Sequence, residues 1–420
     1  MFRFLHAADI HLDSPLKGLE VYQDAPIDQI RGAVRRAFDN LVDLAIQEEA
    51  AFVLLAGDLF DGDWKDYNTG IYFMNRMGLL RDAGIQVFIV SGNHDAASQI
   101  SRALHLPDNV TLFSHKKAET RILDNLNVAI HGQSFPSRIV SEDLTQNYPQ
   151  GEYGLFNIGL LHTALTGRPG HEPYAPCTLD ALRSKGYQYW ALGHVHQREE
   201  VSREPWIIFP GNIQGRHIRE TGPKGCTMVT VDEGQVLEVE HRDIDVLRWA
   251  VCRVDLNECE THDECLDRVR QAFEDELYRA ESRPIAIRLV LEGITSLHGI
   301  LHEKSTHWRE EFRGIAASLI ETWLEKTLLH TRKKVSLDEV PADGSPISVL
   351  IKAVEDLRLG SPRLLDLKPE FEQLRNKLPP DLLSDEDPFN LREEEMETLC
   401  EDVKELLMGK MLRQEGRRED

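Results

Sequence analysis

Seven residues that can bind metal through nitrogen or oxygen stand at, or just after, the ends of apolar runs: Asp9 and His11, Asp58, Asn93, His162, and His194 with His196. Asp9 and His11 are two apart, as are His194 and His196, and on extended chain such pairs point the same way and reach one cavity. Carboxylate, carboxamide and imidazole together suit manganese, iron or zinc better than a thiolate site would. A carboxylate such as Asp58 can bridge two cations roughly 3.5–4 Å apart, the spacing of two-metal hydrolytic sites. Gly57, Gly92 and Gly193 each precede a candidate ligand, where a strand must turn sharply and backbones must approach closely. Taken singly, each polar residue could equally cap a turn or be satisfied in the core. The seven together, at equivalent positions on successive elements, point to a metal centre.

The elements that carry them alternate between strand and helix. Phe2 to Ala8, Phe52 to Ala56 and Val87 to Val90 are short apolar runs, each followed by a polar loop, and Asp28 to Ala50 and Tyr72 to Leu80 carry helical patterns between them. Val128–Gly132, Ile158–His162 and Tyr189–Gly193 read as further strands, followed by hairpin-like runs at Trp206–Pro210 and Cys226–Val239 with a turn at Asp232-Glu233-Gly234. This rhythm indicates an α/β fold, whose sites lie at strand C-terminal ends. Trp249–Val254, Asp263–Tyr278 and Ile285–Leu291 read as a small β-α-β unit. After about His307 the chain reads as mostly helical, with an acidic stretch over residues 381–405.

The chain has 420 residues with 48 Lys+Arg against 71 Asp+Glu, a formal charge of −23. That balance excludes a broad basic coat for nucleic acid, so a polyanionic substrate must be drawn to a local positive site. Local charge near the motifs comes from Arg216, His217, Arg219 and Lys224, with Lys17, Arg35 and Arg36. The first group is expected to contact phosphates flanking a cleaved one. Six cysteines without a CxxC pair argue against a disulfide framework, and no apolar run spans a bilayer, so a cytoplasmic protein with no membrane association is expected.

Asp9-Ile10-His11, Gly57-Asp58-Leu59-Phe60-Asp61, Gly92-Asn93-His94-Asp95, His162 and Gly193-His194-Val195-His196 resemble the five motifs of the calcineurin-like metallophosphoesterases. Ala8 to Pro15, and Pro210 to Arg216 followed by Gly222-Pro223-Lys224-Gly225, are similar to the SbcD-like DNA repair exonuclease branch, including its YhaO type. The resemblance covers about residues 2–243 and weakens beyond.

What the resemblance implies is specific. Asp9, His11, Asp58 and His196 would hold one divalent ion and Asp58, Asn93, His162 and His194 the other, with Mn(II) expected at both. His94 would face the substrate as a catalytic, non-ligating histidine oriented by Asp61. The fold would be a four-layer α-β-β-α sandwich. Two departures stand out: Asp13 replaces the glycine of many relatives, and Asp61 is followed by Gly62 rather than Arg, which disfavours a phosphoprotein substrate.

The domain expectation is a nuclease domain over 1–243, a small α/β cap over 244–306 and a helical region over 307–420. Apolar stripes in Ile347–Leu357 and Met396–Met411 could dock on a partner or pack on their own domain; the resemblance implies a coiled-coil ABC/SMC-like ATPase subunit of the SbcC or YhaN type. The expected function is manganese-dependent cleavage of DNA phosphodiesters, exonuclease in character, in break processing. A small-molecule or cyclic-nucleotide phosphodiesterase on the same site, and a non-catalytic scaffold subunit, are the rivals. Whether the chain forms a homodimer stays open.

Overall fold

The structure, a computed structural model, describes residues 1–14, 27–61, 67–97, 106–165 and 175–333. Lys17, the stripes beyond residue 334 and the acidic stretch lie outside the described residues. Contacts divide the described chain into two compact units, one of 1–254, 266–290 and 306–328, the other of 255–265, 291–305 and 329–333.

The first unit is built on two mixed sheets. Strands β1 (Phe2–Ala7), β2 (Phe52–Ala56), β3 (Gln86–Val90) and β4 (Val110–Leu112) run parallel. The chain then forms β5 (Glu119–Leu123), β6 (Val128–Gly132), β7 (Phe156–His162), β8 (Tyr189–Gly193), β9 (Glu199–Arg203) and β10 (Trp206–Phe209). It returns through β11 (Gly225–Asp232) and β12 (Gln235–Asp243) to the first sheet, whose order is β12-β11-β1-β2-β3-β4; that of the second is β5-β6-β7-β8-β10-β9.

Strand periodicity explains the layers. In β1 and β2, alternate residues face opposite sides. Phe4, Phe52 and Leu54 meet Ile130, Ile158 and Tyr189 between the sheets. Leu5, Val53 and Leu55 face outward onto helices α1 (Ile27–Gln47) and α2 (Tyr67–Asp82), through Val34, Phe38, Phe73 and Met77. The second sheet's outer face, with Leu161, Trp190 and Phe209, is covered by Tyr148 and by Leu182 of a short helix, Leu179–Arg183. The four-layer α-β-β-α sandwich expected from the sequence is what forms. Strands buried on both faces read as continuous apolar runs and were legible; β4, β5 and β9 were not, because they are short or charged edge strands with half-exposed faces.

A further sheet has the order β13 (Arg248–Asp255), β14 (Ile285–Thr295), β15 (Thr322–Lys333). A helix over His262–Arg279 links β13 to β14, and a helix over Ser305–Ser318 precedes β15. β15 corrects the mostly helical reading beyond His307 over Thr322–Lys333 alone; the helix to Ser318 agrees with it, and residues 334–420 lie outside the described residues. Its inward positions include Glu325, Thr327 and Thr331, polar residues that hide strand periodicity, and Glu325 is buried against Arg288. In the second unit, Leu256 N–H donates to Glu292 O at 2.7 Å and Thr295 Oγ1 donates to Cys259 O at 2.6 Å.

Candidate metal centre

The loops after β1, β2, β3, β7 and β8 converge at one end of the two sheets. Asp9, His11 and Asp58 have φ of 50°, 49° and 51°, a left-handed conformation that non-glycine residues seldom adopt. The strain is held by cross-loop bonds: Asp9 N–H donates to Gly57 O at 3.1 Å and His11 N–H to Asp58 O at 2.9 Å. A β-carbon on Gly57 would strike the His162 ring, one on Gly92 the Asp58 carboxylate, and one on Gly193 the Ala56 carbonyl. The close-approach role read for these glycines is therefore visible in the packing.

Asp95 ties the second and third loops together. Its buried carboxylate accepts from the N–H groups of Leu59 (3.1 Å), Phe60 (2.8 Å) and Gly92 (3.1 Å). Burial, with the nearby Asp58 charge, pushes its carboxyl up to about 6.

Around this frame the expected ligands gather. Asp9, His11, Asp58, Asn93 and His162 are all buried. His196 Nε2 lies 3.3 Å from His11 Nε2 and 3.8 Å from Asp9 Oδ1. His162 Nε2 lies 3.0 Å from Asn93 Oδ1 and 3.4 Å from Asp58 Oδ2. The ligand atoms of Asp9, His11 and His196 lie within 4.8 Å of one another, as do those of Asp9, Asp58 and His162 and those of His11, Asp58 and His94. His194 joins through its backbone, donating to both Asp9 carboxylate oxygens at 3.1 and 3.0 Å, and its ring centroid is 5.2 Å from that of His162.

These atoms fit a pair of cations. His162 Nδ1–H donates to Ala56 O at 2.9 Å, so in the neutral ring Nε2 carries a lone pair facing two oxygen acceptors. His11 and His196 likewise set ring nitrogen against ring nitrogen, and His11 Nδ1 is buried with no hydrogen-bond partner among the described residues. Converging acceptors of this kind need positive charge among them. With protons as the only counter-charge, burial lowers His162 but the adjoining Asp58 carboxylate outweighs it, and the imidazole rises to about 9. Burial raises Asp9, with the imidazoles of His196 and His162 opposing.

At the rim, His94 Nδ1 is 2.7 Å from Asp61 Oδ1, and the His94 side chain is 32% exposed. Its ring centroid lies 4.9 Å from that of His11. Burial lowers His94, but the hydrogen bond to Asp61 and the charge of Asp58 outweigh this and raise it.

The expected phosphate contacts divide. Lys224 is buried and donates through Nζ to His196 O at 3.3 Å, so it is turned away from any substrate surface. Arg216 pairs with Glu220 at 2.9 Å with its side chain 12% exposed. Of that group only His217 and Arg219 are exposed. Arg35 is bound by Asp13, which also accepts from Thr69 Oγ1, so Asp13 joins the first loop to both outer helices. Sequence reasoning missed Glu220: a single acid in a polar run gives no signal until the fold brings it to His196, whose Nδ1 is 2.7 Å from Glu220 Oε1.

The calcineurin-like phosphoesterase family model matches residues 2–198, and the model for the middle domain of metallophosphoesterase YhaO matches residues 249–332. An uncharacterized metallophosphoesterase of Bacillus subtilis (strain 168), YhaO, is 36% identical over 294 residues, 69% of this chain and 71% of its own. The DNA double-strand break repair protein Mre11 of Sulfurisphaera tokodaii is 24% identical over 310 residues, 69% of this chain and 73% of its own. Its namesake in Methanopyrus kandleri is 24% identical over 272 residues, 58% of this chain and 57% of its own.

Proposed function

Because this chain belongs to the calcineurin-like metallophosphoesterases, we propose that it is a divalent-metal-dependent DNA nuclease that hydrolyses phosphodiester bonds in break repair. The observation that carries the phosphodiesterase reading is the convergence of nitrogen and oxygen ligands beside a half-buried His94. That ring lies within ligand distance of His11 and Asp58 but is held through Nδ1 by Asp61, and is assigned to the substrate rather than to a metal. DNA as substrate is supported by likeness to proteins named for double-strand break repair. Mn(II) is the proposed metal: a set of carboxylate, carboxamide and imidazole without thiolate suits manganese, iron or zinc, and the resemblance to the SbcD-like branch selects manganese among them. We assign Asp9, His11, Asp58 and His196 to one ion and Asp58, Asn93, His162 and His194 to the other.

When bound, the two ions supply the Lewis-acid charge that in-line attack on phosphorus needs. The chain's own residues supply the rest. Asp61 holds the proton on His94 Nδ1 and turns the ring so that its other nitrogen faces the cleft. A cationic His94 is placed to stabilise the scissile phosphate and to pass a proton to the departing ester oxygen. Arg219 and His217, exposed beyond His196, are the proposed contacts to flanking phosphates, in place of Arg216 and Lys224. A coiled-coil ABC/SMC-like ATPase is the proposed partner, and the cytoplasm the proposed location. No helix among the described residues is long and apolar enough to cross a membrane.

The test is a cleavage assay on 5′- and 3′-labelled duplex and single-stranded DNA with Mn(II), Mg(II) or chelator. Metal-dependent shortening from an end, abolished by chelator, is expected. Hydrolysis of bis-p-nitrophenyl phosphate with no cleavage of DNA would replace this reading with a small-molecule phosphodiesterase.

A further inference from the structure

We propose that Glu220 is a positioning residue for His196, fixing the proton on Nδ1 so that Nε2 is presented to metal, with Arg216 and Lys224 bracing that arrangement. The proposal rests on the reading of His196 as a ligand and names residues that this reading leaves without a role.

The two ligand imidazoles whose outward bonds are defined are held differently. His162 gives its Nδ1–H to a neutral carbonyl, Ala56 O at 2.9 Å. His196 instead sets Nδ1 2.7 Å from the carboxylate oxygen Glu220 Oε1. Arg216 Nη2, which can only donate, also lies 3.4 Å from Nδ1. The far shorter contact is to a carboxylate, which can only accept, so the Nδ1 proton faces Glu220 and the Nε2 lone pair points toward Asp9 and His11. A carboxylate behind an imidazole also raises its basicity toward a metal, which a carbonyl does more weakly. The two ends of the centre are therefore unequal by construction.

Glu220 is built into this place. Its side chain is 5% exposed. Its second oxygen accepts the Arg216 backbone N–H at 2.8 Å, and Arg216 Nη2 donates to Oε1 at 2.9 Å. A β-carbon on Gly215 would lie 2.6 Å from Glu220 O, so glycine there lets the loop close around the acid. The Arg216 guanidinium and the His196 ring thus share one carboxylate oxygen, Oε1, from two sides. Behind the ring, His196 O accepts from Lys224 Nζ at 3.3 Å and from Asn212 N–H at 3.2 Å. The stretch from Gly211 to Lys224 thus wraps His196 from both sides.

The experiment titrates the full chain, stripped with chelator, with Mn(II) in a calorimeter, for wild type, Glu220→Ala, Glu220→Gln, His196→Ala and the Glu220→Ala/His196→Ala double variant. Glu220→Ala should weaken one of two Mn(II) sites by roughly ten- to a hundred-fold and leave the other near wild type. Glu220→Gln should lose less, because its amide oxygen still accepts from Nδ1–H. Glu220→Ala should add little to His196→Ala, since each removes the same function. Two wild-type affinities in Glu220→Ala would overturn the proposal. So would equal weakening of both sites with a lowered melting midpoint, which marks a loop brace only. Wild-type protein that takes up no Mn(II) would remove the metal reading itself, and this assignment with it.

Discussion

Asp61 Oδ1 lies 2.7 Å from His94 Nδ1, and Asp61 Oδ2 accepts from Ser14 Oγ at 2.5 Å, so a carboxylate anchored in the first loop sets the ring carried by the third. Burial lowers His94, but the hydrogen bond to Asp61 together with the charges of Asp58 and Asp95 outweighs it and keeps His94 protonated to higher pH than an isolated histidine. A cationic His94 is fully present below its raised pKa and is lost as pH rises through it. Asp61→Asn removes the anion, so the alkaline limb of kcat/KM for phosphodiester hydrolysis should move to lower pH. His94→Gln should lower kcat by roughly a hundred-fold or more while Mn(II) uptake is kept. An unmoved alkaline limb in Asp61→Asn would show that the pair does not control the proton.

Gly92 offers a test of loop geometry apart from ligand chemistry. A β-carbon there would press on the Asp58 carboxylate and lie 2.9 Å from the Asp58 backbone nitrogen. Neither neighbour can move freely, because Asp58 Oδ1 accepts from His94 N–H at 3.0 Å and the loop backbone is pinned by Asp95. Gly92→Ala should destabilise the fold by about 1–3 kcal/mol, the usual cost of overpacking, and weaken Mn(II) binding. Denaturant melts and calorimetric titration check both. Wild-type metal affinity in this variant would mean that Asp58 tolerates displacement.

The sandwich and the ligand set were legible for related reasons. Strands such as Phe52–Ala56 are buried on both faces and read as apolar runs, and the fold puts chemistry at their ends, where Asp58 stands as a polar break. Roles that depend on distant packing were not legible. Lys224 has the composition of a phosphate contact, yet its ammonium faces the His196 carbonyl 28 residues away in sequence. Glu220 acquires its role only when the chain folds back on His196. In β15, Glu325 and Thr327 replace the apolar alternation that marks a strand; Glu325 is buried because Arg288 pairs with it, a partner that its own stretch of sequence does not show.

His6 gives a pH dependence separate from the metal ligands. It is fully buried in β1, bonded to Tyr189 Oη at 3.0 Å and to Leu192 O at 3.1 Å. Burial drives its imidazole down to about 3, with the Leu192 carbonyl opposing. The unfolded chain protonates His6 near its ordinary value of about 6.5, so between about 6.5 and 3 the unfolded state binds the extra proton. Stability should therefore fall as pH drops through this window, by up to about 1.4 kcal/mol per pH unit from this group. His6→Gln should flatten that slope by about one proton. Urea midpoints from pH 7 to 4.5, in chelator for both proteins, measure it; equal slopes would show that His6 is protonated in the folded state.

The ion pair between Arg288 and Glu325 tests the placement of β15. Arg288 Nε and Nη2 each donate to a Glu325 oxygen at 2.8 Å, and the side chains are 11% and 5% exposed. A bidentate pair taken out of water is a poor source of net stability, but removal of one member leaves the other charge buried alone. Glu325→Ala should then cost about 3–5 kcal/mol, whereas Arg288→Met combined with Glu325→Leu should recover much of the loss. Such recovery requires the two side chains to face each other across β14 and β15. If the helical reading of residues beyond 307 held at Glu325, this position would lie on an ordinary helix surface, the single substitution would change stability by roughly 0.5 kcal/mol or less, and the double variant would show no coupling. Thermal and urea melts of the three variants decide between these outcomes.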